Sequence, residues 1–403
     1  MSDRRLLYAV ASLRAVASAA TGVTIGAYLK QLGHGASTVG FVTSAGLAGS
    51  ALAMLLVTIR ADCTGRRRSL LLLAGLGVVG GSVILLPLPV ALLVALSFLA
   101  MWNGMGRDRG PAAVLEQAML PSTASDTTRT MAFARYNALQ DGGNALGFLF
   151  VAAALAVPLP TAVSESADPR ILRAILATYP VLSLVSIALY ARLSASVEAP
   201  RAALRTPLSP EGWRVVTRLS ALFALDSLGG GFISASLVAY FFFERFDARV
   251  ETVALLFFVA RVLNAISHLV AGRLARVFGL VNTMVFTHIP SSLLLATVAI
   301  APSFPVAATL FLLRESLAEM DVPTRQSYVM AVVRPEERTV ASGVTNIVRL
   351  AGWAVAPAIG GALMEGVSLA VPLVVGAGLK IAYDVLLWRS FRHVAPPEER
   401  GSQ

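Results

Sequence analysis

Residues 129–137 read RTMAFARYN, and a related segment, RTVASGVTN, occupies residues 338–346. Both copies share the pattern Arg-Thr-x-Ala-x-x-x-x-Asn, and a proline, Pro111 or Pro323, precedes each copy at nearly the same distance. An internal repeat is settled before other patterns, because it determines how the whole chain divides. Here the repeated unit is half of the chain, so the sequence predicts two related halves.

The chain has the composition of a membrane protein. Apolar residues make up 56% of its 403 residues, charged residues only 14%, and the mean hydropathy is +0.72, whereas a soluble domain carries about 25% charged residues. Apolar runs long enough to cross about 30 Å of hydrocarbon recur along the chain. Since lipid offers no hydrogen-bond partner to backbone N–H and C=O groups, we expect each span to be a helix. We predict an all-α membrane protein with 12 transmembrane helices in two pseudo-symmetric six-helix bundles.

The longest polar interruption lies near the middle of the chain and divides it into domains. We assign residues 1–193 to an N-terminal six-helix bundle, 194–213 to a cytoplasmic linker and 214–403 to a C-terminal six-helix bundle. The predicted spans of the first half are 6–30, 38–60, 69–87, 90–119, 129–157 and 170–193. Those of the second half are 214–243, 250–273, 280–301, 305–332, 339–364 and 369–391.

The formal net charge of +10 at pH 7 would raise nucleic acid as a partner of a soluble protein. Here the basic residues concentrate at one set of predicted helix ends, as in the arginine run at 66–68 and in the linker. This positive-inside bias predicts a multi-pass protein of the inner or plasma membrane with both termini in the cytoplasm. We therefore expect the lipid bilayer as a partner, no nucleic acid, and a monomer.

The sequence holds no motif for a cofactor or an enzymatic reaction. The single cysteine, Cys63, excludes an intrachain disulfide, and we predict no metal, no cofactor and no enzymatic activity. Arg349, Lys380 and Asp384 are expected to form a structural cluster, since the last two lie one helical turn apart. The four histidines are scattered, and we expect no functional role for them. They are His34, His268, His288 and His393.

The loop between the second and third spans reads TIRADCTGRRR over residues 58–68. It resembles a signature of the major facilitator superfamily, Gly-x-x-x-Asp-Arg/Lys-x-Gly-Arg/Lys-Arg/Lys, with departures at Thr58 and Cys63. Gly65 permits a sharp turn after the helix end. The resemblance implies a latch between the cytoplasmic faces of the two halves. Alternatively, the arginines only contribute to the positive-inside bias that orients the chain in the membrane. The implied gate comprises Asp62, Gly65, Arg66 and Arg67.

The eleventh span carries a second resemblance, over residues 343–361. Its small residues and Pro357 are similar to the antiporter signature Gly-x8-Gly-x3-Gly-Pro-x2-Gly-Gly, with Ala356 in place of one glycine. In that family, however, the motif lies in the fifth helix. We interpret it first as a device for close helix packing and bending, and only secondarily as a mark of an antiporter.

Charges inside the membrane are costly, about 2.5–3.5 kcal/mol or more each, so they need partners or a water-filled cavity. In the superfamily, the first, fourth, seventh and tenth helices line the central cavity, and the embedded charges of this chain concentrate on those spans. The resemblance therefore implies a substrate or proton path along them. Its candidate residues are Arg14, Trp102, Asn103, Arg107, Asp108, Arg109, Glu116, Asp226, Arg314, Glu315, Glu319, Asp321 and Arg325.

The two halves also mirror each other in the sign of these charges. With the two prolines aligned, Arg107 falls on Glu319, and Arg109 falls in the same way on Asp321. Residues related by a two-fold axis can face one another, so we hypothesise that these arginines meet the two carboxylates across the cavity. The alternative pairs each charge within its own half, such as Arg325 with Asp321.

The function implied is secondary active transport of a small organic solute by alternating access. The acidic residues on the path favour proton coupling, and the resemblance favours efflux. Two alternatives remain open: import of a metabolite by a proton symporter or a uniporter, and a membrane sensor or interaction protein that does not transport.

Overall fold

The computed structural model describes residues 2–83, 85–86, 88–102, 104–106, 110–123, 129–156, 168–198, 209–334 and 337–391, which are helical with no strand among them. The first half contains α1 (Asp3–Gln31), α2 (Ala36–Thr64), α3 (Arg66–Val83), α4 (Val90–Ala100), α5 (Pro111–Met119), α6 (Arg129–Ala156), α7 (Pro169–Leu176) and α8 (Thr178–Tyr190). The second half contains α9 (Pro210–Gly231), α10 (Ala235–Phe246), α11 (Val250–Phe278), α12 (Leu280–Ala299), α13 (Phe304–Ala318), α14 (Asp321–Val332), α15 (Arg338–Gly366) and α16 (Val371–Phe391).

Each of the twelve predicted spans coincides with helix, and the all-α fold class is confirmed. Nine helices of the described residues are long and apolar enough to cross a membrane. The third, fourth and tenth predicted spans do not meet that criterion, and α3 begins with three arginines; the sixth and seventh meet it as the continuous segments Pro169–Tyr190 and Pro210–Phe246.

Four predicted spans are divided into two helices, which the hydropathy pattern does not reveal. They are the fourth (α4 and α5), sixth (α7 and α8), seventh (α9 and α10) and tenth (α13 and α14). In the fourth, Met101 adopts a left-handed conformation with φ 56° and ends α4, and Gly106 follows with φ 67°. Pro111 then starts α5, where a missing N–H costs nothing. In the seventh, the hydroxyl of Ser234 accepts a hydrogen bond from the Leu237 N–H and begins α10 anew.

Close packing of α1 against α6 depends on two glycines. A Cβ added to Gly143 would lie 2.6 Å from the carbonyl oxygen of Ser12, and one added to Gly147 would lie 2.5 Å from that of Val16. Lipid tails are as apolar as leucine, so helices associate in a membrane through van der Waals contact rather than hydrophobic burial. The Gly-x-x-x-Gly spacing on α6 therefore permits the backbone approach that holds α1.

The chain divides into two compact units. The first consists of Met1–Ala203, Ser234–Phe258 and Pro357–Leu369, and it has a buried apolar core that includes Leu7, Met119 and Tyr136. The second consists of Leu204–Ile233, Val259–Ala356 and Ala370–Gln403, with a core that includes Phe223 and Tyr383. The predicted linker, residues 194–213, divides the sequence into an N-terminal and a C-terminal half. That division differs from these two units, and it stays a prediction.

The second half begins at a capped helix end. The hydroxyl of Ser209 accepts a hydrogen bond from the Gly212 N–H at 3.1 Å, and the Ser209 N–H donates to the Glu337 carboxylate at 2.6 Å. Hydrogen bonds to Glu337 from the backbone N–H of Ser209 and then from its hydroxyl hold the pKa of this carboxyl below its usual range. Regular helix starts at Pro210, a few residues before the predicted seventh span.

Candidate functional sites in the two halves

The first site is built around the carboxylate of Glu116 on α5. Residues 112, 115, 116 and 119 of this short helix are buried and fall on one face, which places Glu116 inside the bundle with no exposed surface. Arg14 of α1 donates to both of its oxygens, with Nη2 to Oε2 at 3.0 Å. The hydroxyl of Tyr136 on α6 donates to Oε2 at 2.7 Å, and that of Tyr190 on α8 donates to Oε1.

Four donors satisfy both oxygens of this carboxylate. A carboxylate has about four lone-pair positions, so Glu116 has little hydrogen-bonding capacity left for a ligand. A buried pair is stable only when such additional hydrogen bonds compensate for the lost hydration. The arrangement joins α1, α5, α6 and α8 and fixes the position of the Arg14 guanidinium.

A cavity lies beside this ion pair, within the first unit. Its walls come from α1, α2, α3, the α4–α5 connection, α5 and α8, and they combine hydroxyl groups with small and aliphatic side chains. The lining residues are Arg14, Ala17, Ser18, Ser50, Leu73, Ala74, Gly77, Met101, Gly110, Pro111, Ala112, Tyr179, Leu182, Ser183, Ser186 and Tyr190.

The second site is a buried network of charges in the second unit, centred on Asp226 of α9. Lys380 of α16 places Nζ 2.8 Å from Asp226 Oδ1. Arg325 of α14 lies 3.5 Å from Oδ2 and also pairs with Asp321, one turn away on its own helix. Arg349 of α15 is 3.7 Å from Oδ2. A single carboxylate therefore connects cations from three helices.

His288 of α12 extends this network to Asp384. Its Nδ1 lies 3.0 Å from both carboxylate oxygens of Asp384, and its Nε2 lies 3.3 Å from Lys380 Nζ. Because an ammonium can only donate, Nε2 accepts, and the ring proton is assigned to Nδ1, which donates to Asp384. This tautomer carries no charge, and its Nε2 also lies 4.0 Å from Asp226 Oδ1. The carboxylates of Asp226, Asp321 and Asp384 then balance the charges of Arg325, Arg349 and Lys380.

A smaller polar cluster joins α13 to α11. Arg314 pairs with the adjacent Glu315, and the Asn264 amide donates to the same carboxylate at 2.9 Å. Both residues of the ion pair are buried. Trp102 is buried in the first unit and meets the ring of Tyr179 edge-on at 6.1 Å.

Within each compact unit, the described residues of the predicted path form local contacts. Arg14 joins Glu116, Arg314 joins Glu315, and Asp226 joins Asp321 and Arg325, whereas Glu319 is half-buried in the turn between α13 and α14. Asp321 therefore pairs with Arg325 of its own half. This contact is the alternative that was set beside a pairing across the two halves. Four predicted residues lie outside the described residues, and their roles stay predictions. They are Asn103, Arg107, Asp108 and Arg109.

Sequence reasoning missed two features of these sites. His288 was expected to have no role, yet it is buried and contacts Asp384 and Lys380. The expected cluster of Arg349, Lys380 and Asp384 exists, but it is organised around Asp226. A buried titratable side chain within an apolar span marks a functional candidate on physical grounds, and this signal could have singled out His288.

The arginines of the predicted cytoplasmic gate make hydrogen bonds within the first half. Gly65 ends α2 with φ 98°, which confirms the sharp turn. The Arg66 guanidinium donates to the Ala118 carbonyl at 2.9 Å, and the Arg67 guanidinium donates to the Ala191 carbonyl. Glu198 accepts from both backbone N–H groups at the start of α3. The side chain of Asp62 lies outside the described residues, and a latch between the halves stays a prediction.

The glycine-rich motif of α15 packs closely against α2 within the first unit. A Cβ added to Gly361 would lie 2.3 Å from the Ala36 carbonyl oxygen, and one added to Gly40 would lie 2.3 Å from that of Pro357. The Ser44 hydroxyl accepts from the Ala358 N–H at 2.8 Å. These contacts agree with its interpretation as a packing device.

The arrangement of broken apolar helices with buried charges is that of a membrane transporter, and residues 7–357 match the family described as Major Facilitator Superfamily. The chain belongs to this superfamily. Members are transporters that bind small molecules in the membrane, rather than enzymes. The chain is accordingly a multi-pass integral membrane protein with the superfamily's fold.

Relatives of this superfamily member agree with that placement. An uncharacterized membrane protein of Saccharomyces cerevisiae, YJR124C, is 23% identical over 96% of this chain and 93% of its own length. The structure of the nucleoside transporter NupG matches with a TM-score of 0.76 at 14% identity, over 98% of this chain and 100% of that one. The xylose transporter XylE from E. coli matches with a TM-score of 0.72 at 13% identity, over 98% of both chains. Identities this low show a shared fold and do not identify the solute.

Proposed function

We propose that this protein is a proton-coupled secondary transporter that exports a small organic solute by alternating access. The observation that carries the proposal is the contact between His288 and Asp384, inside a network whose charges balance when His288 is neutral. Chains of histidine and carboxylate groups buried in a membrane serve as proton relays in pumps and transporters. The proposal therefore places proton coupling in the second half.

Within the network, Asp384 is the carboxylate best suited to take the extra proton. Asp226 has three cationic neighbours, and each of them stabilises its ionised form. The described hydrogen-bond partner of Asp384 is the uncharged ring of His288. Protonation of Asp384 converts a balanced network into one with a net positive charge, and it weakens the attraction to the His288 N–H.

That change gives proton binding a means to act on the transport cycle. A net charge in a low-dielectric interior is unfavourable, so a conformation that admits water to the network is favoured once the proton is bound. Lys380 connects the His288 ring to Asp226 on α9, one of the helices that line the central path in the superfamily. The network can therefore transmit protonation from α12 and α16 to the seventh span.

Export is the proposed direction, and its support is the antiporter-like motif of α15. Everted vesicles with an acidic lumen, incubated with a mixture of metabolites and assayed by mass spectrometry, test it. An antiporting exporter accumulates its solute there, whereas a proton symporter for import accumulates it in right-side-out vesicles in acidic medium. Accumulation that survives collapse of the pH gradient contradicts proton coupling, and the absence of any accumulated solute favours a non-transporting role.

The variant Asp384→Asn locates the coupling site. We expect it to lose gradient-driven accumulation by at least about tenfold, the factor given by 1.4 kcal/mol, while it retains exchange of labelled solute without a gradient. The matched control is Glu244→Gln, which removes a carboxylate from a partly exposed pair with Lys30. Equal losses in both variants would contradict the assignment of Asp384.

A further inference from the structure

We infer that the cavity enclosed by α1, α3 and α8 in the first half binds a small uncharged solute with several hydroxyl groups, such as a polyol or a monosaccharide. Binding of such a ligand does not depend on the proposed function. Only the further step, that this ligand is the transported solute, rests on the proposed function.

The first argument is a stripe of hydroxyl groups along α8. Tyr179, Ser183, Ser186 and Tyr190 follow one another at intervals of four, three and four residues, so they share one face of the helix, and all of them line the cavity. Ser18 and Ser50 add hydroxyls from α1 and α2. A polar face on a transmembrane helix turns away from lipid toward protein or a cavity, and here it faces a cavity.

The second argument is the direction of the hydrogen bonds. The Ser186 hydroxyl donates to the Leu182 carbonyl at 2.7 Å, and that of Ser50 donates to the Gly46 carbonyl at 2.9 Å. Since each hydroxyl has one hydrogen and two acceptor positions, these oxygens retain acceptor capacity at the cavity wall. A ligand that presents hydroxyl donors complements them.

The charge of the described cavity lining favours a neutral ligand. Among the described residues that line the cavity, Arg14 is the one with a permanent charge, and the carboxylate of Glu116 balances it. The described lining therefore offers no net charge that would compensate a charged ligand for its lost hydration, whereas a neutral polyol needs no such compensation. Leu73, Ala74 and Leu182 supply apolar surface for the C–H faces of such a ligand.

Calorimetric titration of the purified full-length protein in lipid nanodiscs tests the ligand class. The neutral probes are myo-inositol, ribitol and D-ribose, and the charged probes are D-gluconate and D-glucosamine. We expect at least one neutral probe to bind at least about tenfold more tightly than both charged probes. Failure of all neutral probes to bind, or tighter binding of a charged probe, overturns the proposed class.

A matched pair of substitutions on α3 tests the location. Ala74→Phe fills the cavity and is expected to weaken binding of the neutral probe at least about tenfold, whereas Leu72→Phe lies on the exposed face of the same helix and leaves binding unchanged. Should Ala74→Phe fail to fold, Ser186→Ala removes one hydroxyl without adding volume and weakens binding about two- to tenfold. Wild-type affinity in a folded Ala74→Phe protein, or in Ser186→Ala, overturns the assignment of the cavity.

The two proposals fail separately. Asp384→Asn lies in the other half and is expected to retain binding of the neutral probe. If no neutral probe binds while vesicles accumulate another solute with the pH gradient, this inference is wrong and the proposed function stands. If a neutral probe binds and is transported without any effect of the gradient, proton coupling is wrong and the ligand class stands.

Discussion

The two halves of this transporter bury carboxylates in opposite ways. In the first, Glu116 is satisfied by one arginine and two tyrosine hydroxyls. In the second, Asp226 shares three cations with its neighbours, and Asp384 depends on a neutral histidine. From this contrast we expect a saturated carboxylate to hold helices together, and we propose that the one with spare acceptor capacity binds the proton.

The internal repeat makes this contrast sharper. With Pro111 aligned on Pro323, Glu116 falls on Tyr328, which is buried and meets the ring of Phe391 edge-on at 5.8 Å. The second half thus has an aromatic contact where the first half has its ion pair. The buried polar groups at these two aligned positions have therefore diverged.

The largest expected effect is that of Glu116→Ala. It leaves the guanidinium of Arg14 without its counter-charge, so we expect a loss of about 3–5 kcal/mol in the free energy of unfolding. Chemical denaturation of the purified protein measures it. In the second half, Lys380→Met leaves two arginines beside Asp226, and we expect a smaller loss, about 1–3 kcal/mol. Equal losses would remove the distinction between the halves.

A second pair of variants compares two buried tyrosines. Tyr190→Phe removes a hydroxyl that bonds to the charged groups of Arg14 and Glu116, and we expect it to cost about 1.5–3 kcal/mol in unfolding free energy. The Tyr383 hydroxyl is buried with no hydrogen-bond partner in the described part of the chain. Tyr383→Phe is therefore expected to be neutral or slightly stabilising, and a large loss there would reveal a partner.

Two glycines test whether the first half is also the more tightly packed. A Cβ at position 147 would lie 2.5 Å from a backbone carbonyl oxygen, whereas one at position 352 would lie 3.0 Å from the Ser227 side chain. We expect Gly147→Ala to cost about 1–3 kcal/mol, the range for overpacking, and Gly352→Ala to cost less. Thermal unfolding of both variants gives the order, and the reverse order would contradict it.

The smallest effect is expected at the partly exposed pair of Lys30 and Glu244, whose charged atoms are 3.3 Å apart. Ion pairs in water contribute about 0–1 kcal/mol, so Glu244→Gln is expected to change the unfolding free energy by no more than that. A loss comparable to that of Glu116→Ala would show that burial does not explain the difference between these carboxylates.

Much of the fold was predictable because hydrocarbon requires helices and because the repeat defines their order. The breaks were not predictable from hydropathy, since Met101 and Glu319 are ordinary residues whose backbone conformation depends on their neighbours. The set of embedded charges stays a prediction as a transport path, although Arg14, Glu116, Asp226 and Arg325 among its members do form buried ion pairs. The contacts of His288 with Asp384 and Lys380 were not foreseen, because a lone histidine in an apolar span has no sequence neighbour that identifies its partners.

By itself, the sequence determined the duplication, the helical spans and the presence of charges that need compensation, because the bilayer imposes the same length and polarity on every span. Only the tertiary structure decided which charges meet. Arg14 and Glu116 are 102 positions apart, and His288 and Asp384 are 96 positions apart. Such pairs depend on the rotation and close approach of whole helices, which the packing of small residues sets and a linear pattern does not encode.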